Sequence, residues 1–348
     1  MRACASCFRV NTWVANASPP ESSPARCEFG HEYSPHTWPT TAWVDSFSRL
    51  FSIYEIVADG SGQSIEYRIQ EDWGIFGLED AQIRSFLVSV FPEGHEFFRQ
   101  DVKVRLRART DGVSADHSSS WARFSEEIRI NNRYFPKSAP DKEMLSRVLL
   151  NTVVRISPDI DMFRARVVEG QPPTADEMGP PPPEKASAGR ANPVGIPHLY
   201  LAYSEDTCIY ETRAASHATV SLGRFRAERD LRVLNLADIE PPDFFSVSDV
   251  ESVNDQIAQV AFHRLLVALS QELRKPVRAS DHPIDYIPTQ YLCELAKSLG
   301  IDGVLYLSSL DSTGRNVVLF DGEAAKCIEP PRLIEVTALR AEWRYLDL

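Results

Sequence analysis

Hydrophobic residues recur at helical spacing through much of the first half of the chain. The clearest stretch, residues 41–58, places large apolar side chains on one helical face: Trp43, Phe47, Leu50, Phe51 and Tyr54. The same pattern predicts three more helices, at 79–91, 118–134 and 140–154. Residues 72–76 interrupt the pattern, and we expect them to pack as a connector. The first half is therefore predicted to be mostly helical.

The second half alternates between short apolar runs and longer amphipathic stretches. The short runs predict strands at 163–168, 198–203, 219–226, 231–236, 302–309 and 317–320. The longer stretches predict helices at 250–275 and 289–299. The tail beyond residue 330 is expected to add at least one strand. Strands interleaved with helices in this way predict a mixed α/β fold.

Composition and charge narrow the classes of function. The chain has 348 residues, a length typical of two or three domains, and 43% of them are hydrophobic. The formal net charge is −12, so the chain gains no general electrostatic attraction to nucleic acid or anionic lipid. The basic run at 103–109 is a candidate local patch, but a solvated strand face is the better interpretation.

Neither a membrane span nor a disulfide scaffold is predicted. No apolar run approaches the roughly 20 residues that cross a bilayer, and the first residues lack an apolar signal core. The six cysteines are too dispersed for a disulfide scaffold. We therefore expect a cytoplasmic protein with no membrane partner.

The first three cysteines, together with a histidine, are spaced like the ligands of a small metal site. Cys4 and Cys7 form a CxxC pair, and His31 follows Cys27 four residues later. Zinc takes four nitrogen or sulfur ligands in a tetrahedron, and a CxxC turn presents two thiolates at a suitable angle. These four residues are therefore a candidate structural zinc site, with His36 as a rival for the fourth position. The alternative is an unfilled site with free thiols.

Residues 189–213 (GRANPVGIPHLYLAYSEDTCIYETR) combine a turn, a short apolar strand and an acidic helix start. Gly189 and Asn192 favour the turn, and Ser204 can cap the helix. On that helix Glu211 shares a face with small residues and points toward the body of the protein. A carboxylate in that position needs a partner or a catalytic role.

This stretch resembles the core of the RES domain, a family named for its Arg, Glu and Ser. Matching motifs lie on both sides of it: FRAR at 163–166, GPPPP at 179–183, YIPTQ at 286–290, GVLYLS at 303–308 and NVVLF at 316–320. Together these motifs cover residues 158–325. The first half resembles the N-terminal region of a branch described as HEPN/RES.

The resemblance implies three segments. A fold similar to ADP-ribosyltransferases is expected over 156–348, after a zinc-binding segment at 1–40 and a helical HEPN-like domain at 41–155. Some HEPN domains are ribonucleases that use a closely spaced Arg and His. Arg109 and His117 are too far apart for that pair, so we expect a scaffold or a dimerisation module that makes a homodimer.

The resemblance also implies a ligand, NAD+. Arg190 and Arg164 would hold its diphosphate, because a guanidinium matches phosphate oxygens, and Arg166 is an equally good clamp. Tyr200 would stack on the nicotinamide ring. Glu211 would stabilise the positive charge that develops on the ribose when the glycosidic bond breaks.

Supporting positions are also implied by the resemblance. Ser308 would hydrogen-bond to the ribose or steady the catalytic carboxylate, and Asn192 and Tyr306 are secondary candidates. Each residue has a structural alternative, such as a surface ion pair, a core position or a strand-end hydroxyl. Taken singly, that alternative is favoured for all but Arg190 and Glu211.

Three functions stay open. The first is a toxin-like enzyme that cleaves the nicotinamide–ribose bond of NAD+, with water or phosphate as acceptor, in company with an antitoxin. The second is transfer of ADP-ribose to a protein or nucleic acid, which ranks lower because Ile209 stands where many such transferases carry a second Glu. The third is a regulatory binding module with an inactive RES domain and a protein partner.

Overall fold

The computed structural model describes residues 1–9, 23–31, 33–58, 62–108, 117–242, 252–275 and 283–338. The chain forms two compact units: unit 1 is Met1–His117 with Glu240–Arg264, and unit 2 is Ser118–Ile239 with Leu265–Leu348. The boundaries of these units differ from those of the three predicted segments. The division into those three domains stays a prediction. Among the described residues, no helix is long and apolar enough to cross a membrane.

Unit 1 contains strands as well as helices. An antiparallel sheet has the order β1-β3-β2, with β1 Arg2–Cys4, β2 Ser23–Arg26 and β3 Tyr33–Pro39. An antiparallel ribbon joins β4 (Tyr54–Val57) to β5 (Lys103–Leu106). The described part of the basic run at 103–109 thus begins as a strand, and Arg105 there pairs with Glu55. The unit is mixed α/β and not mostly helical.

The helices of unit 1 match the predictions unevenly: the helix predicted at 79–91 is confirmed, whereas the one predicted at 41–58 is shorter. They are α1 (Val44–Phe51), α2 (Ile65–Trp73) and α3 (Asp80–Val90). The helix predicted over 41–58 ends at Phe51, and the apolar residues that follow it form β4. Asp72 and Trp73 end α2 and do not form a connector; Gly74, with φ +56°, stops that helix in the left-handed region.

Aromatic rings fill the core of unit 1. One group of rings, each at most 3% exposed, is Phe8, Trp43, Phe47, Phe76 and Phe86. Phe8 packs on Trp43 and Phe86 with ring centroids 5.4 and 5.6 Å apart, so the first residues of the chain are anchored in this core.

One ion pair is buried beside that core. Asp72 is completely buried and accepts two hydrogen bonds from Arg264, from Nε at 2.7 Å and from Nη2 at 2.6 Å. Tyr54 Oη donates to the same carboxylate at 2.8 Å. Arg264 lies on α7 (Val253–Arg274), which supplies residues to both units.

A nine-stranded sheet organises unit 2. Its order is β13-β9-β7-β8-β12-β11-β10-β6, with β14 also paired to β9. In chain order the strands are β6 Val153–Ile156, β7 Met162–Val167, β8 Leu199–Ala202, β9 Thr219–Ala227, β10 Leu231–Asn235, β11 Gly303–Leu307, β12 Arg315–Leu319, β13 Ala325–Cys327 and β14 Arg332–Glu335. The predicted strands of the second half, including one in the tail, are confirmed. The helix predicted over 140–154 ends earlier, and its last residues begin β6.

The sheet opens between β7 and β8. β7 makes six register pairs with β9, but only one with β8, between Phe163 and Ala202. Two adjacent strands that hardly pair leave an opening in the middle of the sheet, where side chains can take the place of ladder hydrogen bonds.

The helices of unit 2 pack around this sheet. They are α4 His117–Ile130, α5 Lys142–Leu150, α6 Glu205–Thr212, the last part of α7, and α8 Ile287–Ser298. Two separate apolar clusters form on the sheet. One includes Met162, Leu199 and Leu201, and the other includes Ala202, Cys208 and Leu222. Because Leu201 and Ala202 are consecutive on β8, the clusters lie on opposite faces.

Candidate active site

A cap fixes the first turn of α6, the helix that carries Glu211. The Ser204 side chain accepts a hydrogen bond from the Thr207 backbone N–H at 3.1 Å, so the predicted cap is confirmed. The Thr207 hydroxyl donates to Asp311 Oδ2 at 2.6 Å. This bond ties α6 to the turn between β11 and β12, so the helix is positioned by the sheet.

Glu211 is exposed, but its carboxylate is held on one side by the sheet. Oε1 accepts hydrogen bonds from Ser308 Oγ at 2.6 Å and from Asn316 Nδ2 at 2.7 Å. Ser308 is fixed in turn, because its Oγ accepts from the backbone N–H groups of Leu310 and Asp311 at 3.0 and 3.1 Å. Of the two roles predicted for Ser308, these contacts favour steadying Glu211.

Glu211 faces a cavity of about 530 Å³ in unit 2. That volume is within the roughly 300–1,000 Å³ typical of small-molecule sites. Charged and aromatic side chains of the wall are Arg164, Arg190, Arg213, Tyr200, Tyr286, Tyr306, His198 and Glu211. Three guanidinium groups against one carboxylate make this wall suited to an anionic ligand.

Backbone carbonyls orient the Arg190 guanidinium and leave some of its N–H donors available to a ligand. Its Nη1 donates to the backbone carbonyls of Glu272 and Leu273, at the end of α7, at 3.3 and 3.0 Å. The guanidinium carbon lies 5.8 Å from the centre of the Tyr286 ring, within range of a cation–π contact. Since a guanidinium has five N–H donors, its other edge can bind phosphate oxygens.

Arg164 and Arg166 lie on one face of β7, but of the two only Arg164 lines the cavity. Arg164 Nη1 donates to the Tyr200 carbonyl at 3.4 Å, across the opening between β7 and β8. Burial, with the nearby charge of Arg166, lowers the pKa of Arg164 to about 10, so it remains a cation at neutral pH. Arg166 instead donates to the Gly179 carbonyl. The geometry favours Arg164 as the clamp.

Tyr200 and Asn192 brace the turn that carries Arg190. Tyr200 Oη donates to Asn192 Oδ1 at 2.7 Å and accepts from the Ala191 N–H at 3.3 Å. Asn192 Nδ2 donates to the Ser187 carbonyl at 2.9 Å. Burial raises the pKa of the Tyr200 hydroxyl, which keeps it neutral. The hydroxyl therefore serves the turn, while the ring lines the cavity and its stacking role stays a prediction.

A second cavity of about 180 Å³ adjoins the first, beside the opening between β7 and β8. Four residues line both cavities: Arg164, Tyr200, Glu211 and Tyr306. Burial raises the pKa of Tyr306 well above its usual value, so this phenol also stays neutral. Glu211 thus lies between the two cavities, the larger of which is rich in guanidinium groups.

Four residues of this site were not predicted as site residues: His198, Arg213, Asn316 and Tyr286, the last of which was named only as part of a motif. Asn316 is 105 positions from Glu211, and its only local signal is a polar residue at the start of an otherwise apolar strand. Arg213 ends α6 with φ +52°, a left-handed conformation rare for a residue with a side chain. His198 is 2% exposed and lies at the start of the apolar run predicted as a strand.

Three cysteines and one histidine, residue types that bind metal ions, lie close together in unit 1. The ligand atoms of Cys4, Cys7, Cys27 and His31 are all within 4.8 Å of one another. Cys7 Sγ is 3.5 Å from Cys27 Sγ, and His31 Nδ1 is 3.5, 3.5 and 3.6 Å from the sulfurs of Cys4, Cys7 and Cys27. Bond lengths of about 2.3 Å to sulfur and about 2.0 Å to nitrogen give tetrahedral edges of about this size. His36 lies outside the cluster and stacks on Trp38.

The second half of the chain matches one family. A family model described as the RES domain matches residues 162–345, more than half of the chain. The protein therefore belongs to the RES-domain family.

The chain is similar to a chain of the M. tuberculosis MbcT–MbcA toxin–antitoxin complex, at 18% identity and a TM-score of 0.31. That match covers 56% of this chain and 93% of the other. Comparison with curated proteins gives no match.

Proposed function

We propose that the protein consumes NAD+ by cleaving the bond between nicotinamide and its ribose. The observation that carries the proposal is the charge arrangement of the large cavity. Glu211 is the single acidic side chain among the described residues that line it, and three arginines surround the same space. The RES-domain membership supports the proposal, because NAD+ is the ligand that the family resemblance implies.

Arg164 and Arg190 would bind the diphosphate of NAD+. Among the described residues, neither forms an ion pair, and their hydrogen bonds go to backbone carbonyls. A half-buried cation without a carboxylate partner is stabilised when an anion arrives, and a planar guanidinium can bind two phosphate oxygens at once. The rings of Tyr200, Tyr286 and Tyr306 offer flat surfaces to the bases of the dinucleotide.

Glu211 would act on the ribose. As the glycosidic bond breaks, its electron pair leaves with the nicotinamide, and positive charge develops on the ribose carbon. A fixed carboxylate stabilises that charge more than it stabilises the ribose of bound NAD+. The carboxylate could also take a proton from an attacking water. With water as acceptor, the products are nicotinamide, ADP-ribose and a proton.

Phosphate is the competing acceptor, and its attack would give ADP-ribose 1″-phosphate. Transfer to a macromolecule is less well supported. The residue two positions before Glu211 is Ile209, which packs in the apolar cluster of Cys208 and Leu222 and offers no second carboxylate. Depletion of NAD+ would stop growth, so a toxin-like role with an antitoxin or regulatory protein as partner is part of the proposal.

The test is a proton NMR time course of NAD+ with the purified full-length protein, in buffers with and without phosphate. We expect free nicotinamide to accumulate, and the phosphorus spectrum to identify ADP-ribose or its phosphate ester. A commercial NAD+ glycohydrolase serves as the positive control. Intact NAD+ in both buffers, beside a working control, would refute the proposal.

We also propose that Cys4, Cys7, Cys27 and His31 hold a structural zinc ion, with His31 bound through Nδ1. The ion would join β1 to the segment after β2, near Phe8 of the aromatic core. Zinc content is measured on protein purified without a histidine tag. We expect about one zinc per chain, and its loss in Cys7→Ser but not in Cys327→Ser, a cysteine of unit 2. Equal zinc in both variants would contradict the assignment.

A further inference from the structure

Two donors meet on one oxygen of the Glu211 carboxylate. Ser308 Oγ and Asn316 Nδ2 both donate to Oε1, at 2.6 and 2.7 Å. Among the residues that the structure describes, Oε2 receives no hydrogen bond. The two oxygens of one carboxylate therefore have different roles: one is held by the protein, and the other is left to a ligand.

The two donors come from neighbouring strands. Asn316 is on β12, where it is in register with Tyr306 of β11 and Ala202 of β8. It is 5% exposed, and Ser308, directly after β11, is 1% exposed. Glu211 itself is exposed and lies near the end of a short helix. Without these donors its side chain would be free to rotate among several rotamers.

We propose that Asn316 is a positioning residue for Glu211, which together with Ser308 turns Oε2 toward the ribose of the substrate. The proposal rests on the proposed function, since it concerns the residue assigned to the cleavage step. Asn316 lines the smaller cavity, whereas Ser308 lies outside the walls of both cavities as the structure describes them. Asn316 thus reaches the carboxylate from the side of the smaller cavity.

The physical reason is preorganisation. A carboxylate that is already oriented stabilises developing charge without reorganising at the moment of reaction. Removing one donor should therefore slow bond cleavage and leave binding of the diphosphate end unchanged. A hydrogen bond to a charged group contributes about 1.5–3 kcal/mol, which corresponds to a fall in kcat of about 10- to 100-fold.

The test variant is Asn316→Asp, which keeps the shape and removes the donor. Asn235→Asp is its matched control. Asn235 lies on β10 of the same sheet, and its Oδ1 accepts hydrogen bonds from Ala237 and Asp238, which an Asp can also accept. We expect N316D to lose about 10- to 100-fold in kcat with KM within about threefold, and N235D to keep both constants.

Two further readouts separate positioning from a merely structural effect. When the introduced carboxyl is protonated it can donate again, so the ratio of kcat for N316D to that for N235D should rise from about pH 8 to about pH 5. Because both donors act on one oxygen, the effects of Ser308→Ala and Asn316→Ala on kcat should be non-additive in a double-mutant cycle. Full kcat in N316D, a flat ratio or additive effects would each overturn the proposal.

A measurement without turnover separates this proposal from the proposed function. The side-chain amide of Asn316 is observed by nitrogen NMR after selective Asn labelling, and assigned by its absence in N316D. A proton donated to a carboxylate should resonate downfield, and it should move back in Glu211→Gln. If that shift is seen but wild type leaves NAD+ intact, the proposed function fails and the arrangement stands. If wild type cleaves NAD+ and the shift is absent, the proposal fails.

Discussion

Protonation of His198 should destabilise unit 2 in mild acid. The side chain is 2% exposed, and neither ring nitrogen has a hydrogen-bond partner of normal geometry. Burial, and then the charge of Lys297, lower the pKa of His198 from 6.5 to about 4, although the Ala191 backbone opposes this shift. The ring instead packs against Phe320, with centroids 5.2 Å apart. The folded unit therefore accepts His198 in its neutral form.

The sign and size of the effect follow from linkage. Between about pH 4 and about pH 6.5 the unfolded chain binds this proton and the folded chain does not, so the free energy of unfolding falls as the pH drops through that window. Each pKa unit corresponds to about 1.4 kcal/mol, so a shift from 6.5 to about 4 amounts to roughly 3 kcal/mol at most. Below about pH 4 both states are protonated, and the loss is complete.

Urea unfolding followed by circular dichroism measures this loss. Wild type and His198→Gln are compared at about pH 7 and about pH 4.5. His217→Gln is the control, since the His217 side chain is largely exposed and lies 2.9 Å from Glu335 at the surface. We expect wild type and H217Q to lose about 2–3 kcal/mol more than H198Q on acidification. Equal losses in all three proteins would refute the assignment of the acid sensitivity to His198.

Three other changes test the buried ion pair of unit 1 and the turn that carries Arg190. Arg264→Met should cost unit 1 about 3–5 kcal/mol in urea unfolding, because Asp72 would be left buried and unpaired; a loss below about 1 kcal/mol would contradict this. Gly189→Ala would place a Cβ 2.5 Å from Asn192 Oδ1 and 2.8 Å from Tyr200 Oη, so calorimetry should show about tenfold weaker binding of ADP-ribose; unchanged affinity would show that the turn can shift freely. Tyr200→Phe removes both bonds of that hydroxyl and should lower the free energy of unfolding by about 1–3 kcal/mol, and an unchanged value would mean that water replaces it.

Local sequence patterns explain which parts of the fold could be predicted. The apolar runs of β7, β8 and β12 and the Ser204 cap of α6 are encoded by neighbouring residues, and the structure has them where expected. The strands of unit 1 were missed because their local patterns are weak or ambiguous. Ser23–Arg26 is polar and short, and the apolar residues after Phe51 fit a helix or a strand equally well.

The arrangement of the site depends on contacts between distant parts of the chain. The opening between β7 and β8 depends on how few residues of the two strands pair, and no local sequence pattern specifies that. Asn316 reaches Glu211 across 105 positions, and Arg190 is held by the end of α7, 82 positions away. Which of Arg164 and Arg166 lines the cavity also needed the structure, because alternation places both on one face. The predicted residues Arg190, Tyr200 and Glu211 do line one cavity, and Ser308 hydrogen-bonds to Glu211 from outside its wall, but their roles in catalysis stay predictions.

In the proposed function, Glu211 drives cleavage of the nicotinamide–ribose bond of NAD+. The most direct measurement is single-turnover release of nicotinamide by wild type, Glu211→Gln and Glu205→Gln, with ADP-ribose affinity measured on the same samples. Glu205 lies on the same helix but pairs with Arg332 and stays outside both cavity walls. We expect E205Q to match wild type, and E211Q to lose at least about 100-fold in rate while its ADP-ribose affinity changes less than about threefold. Release of nicotinamide by E211Q at the wild-type rate would contradict the claim.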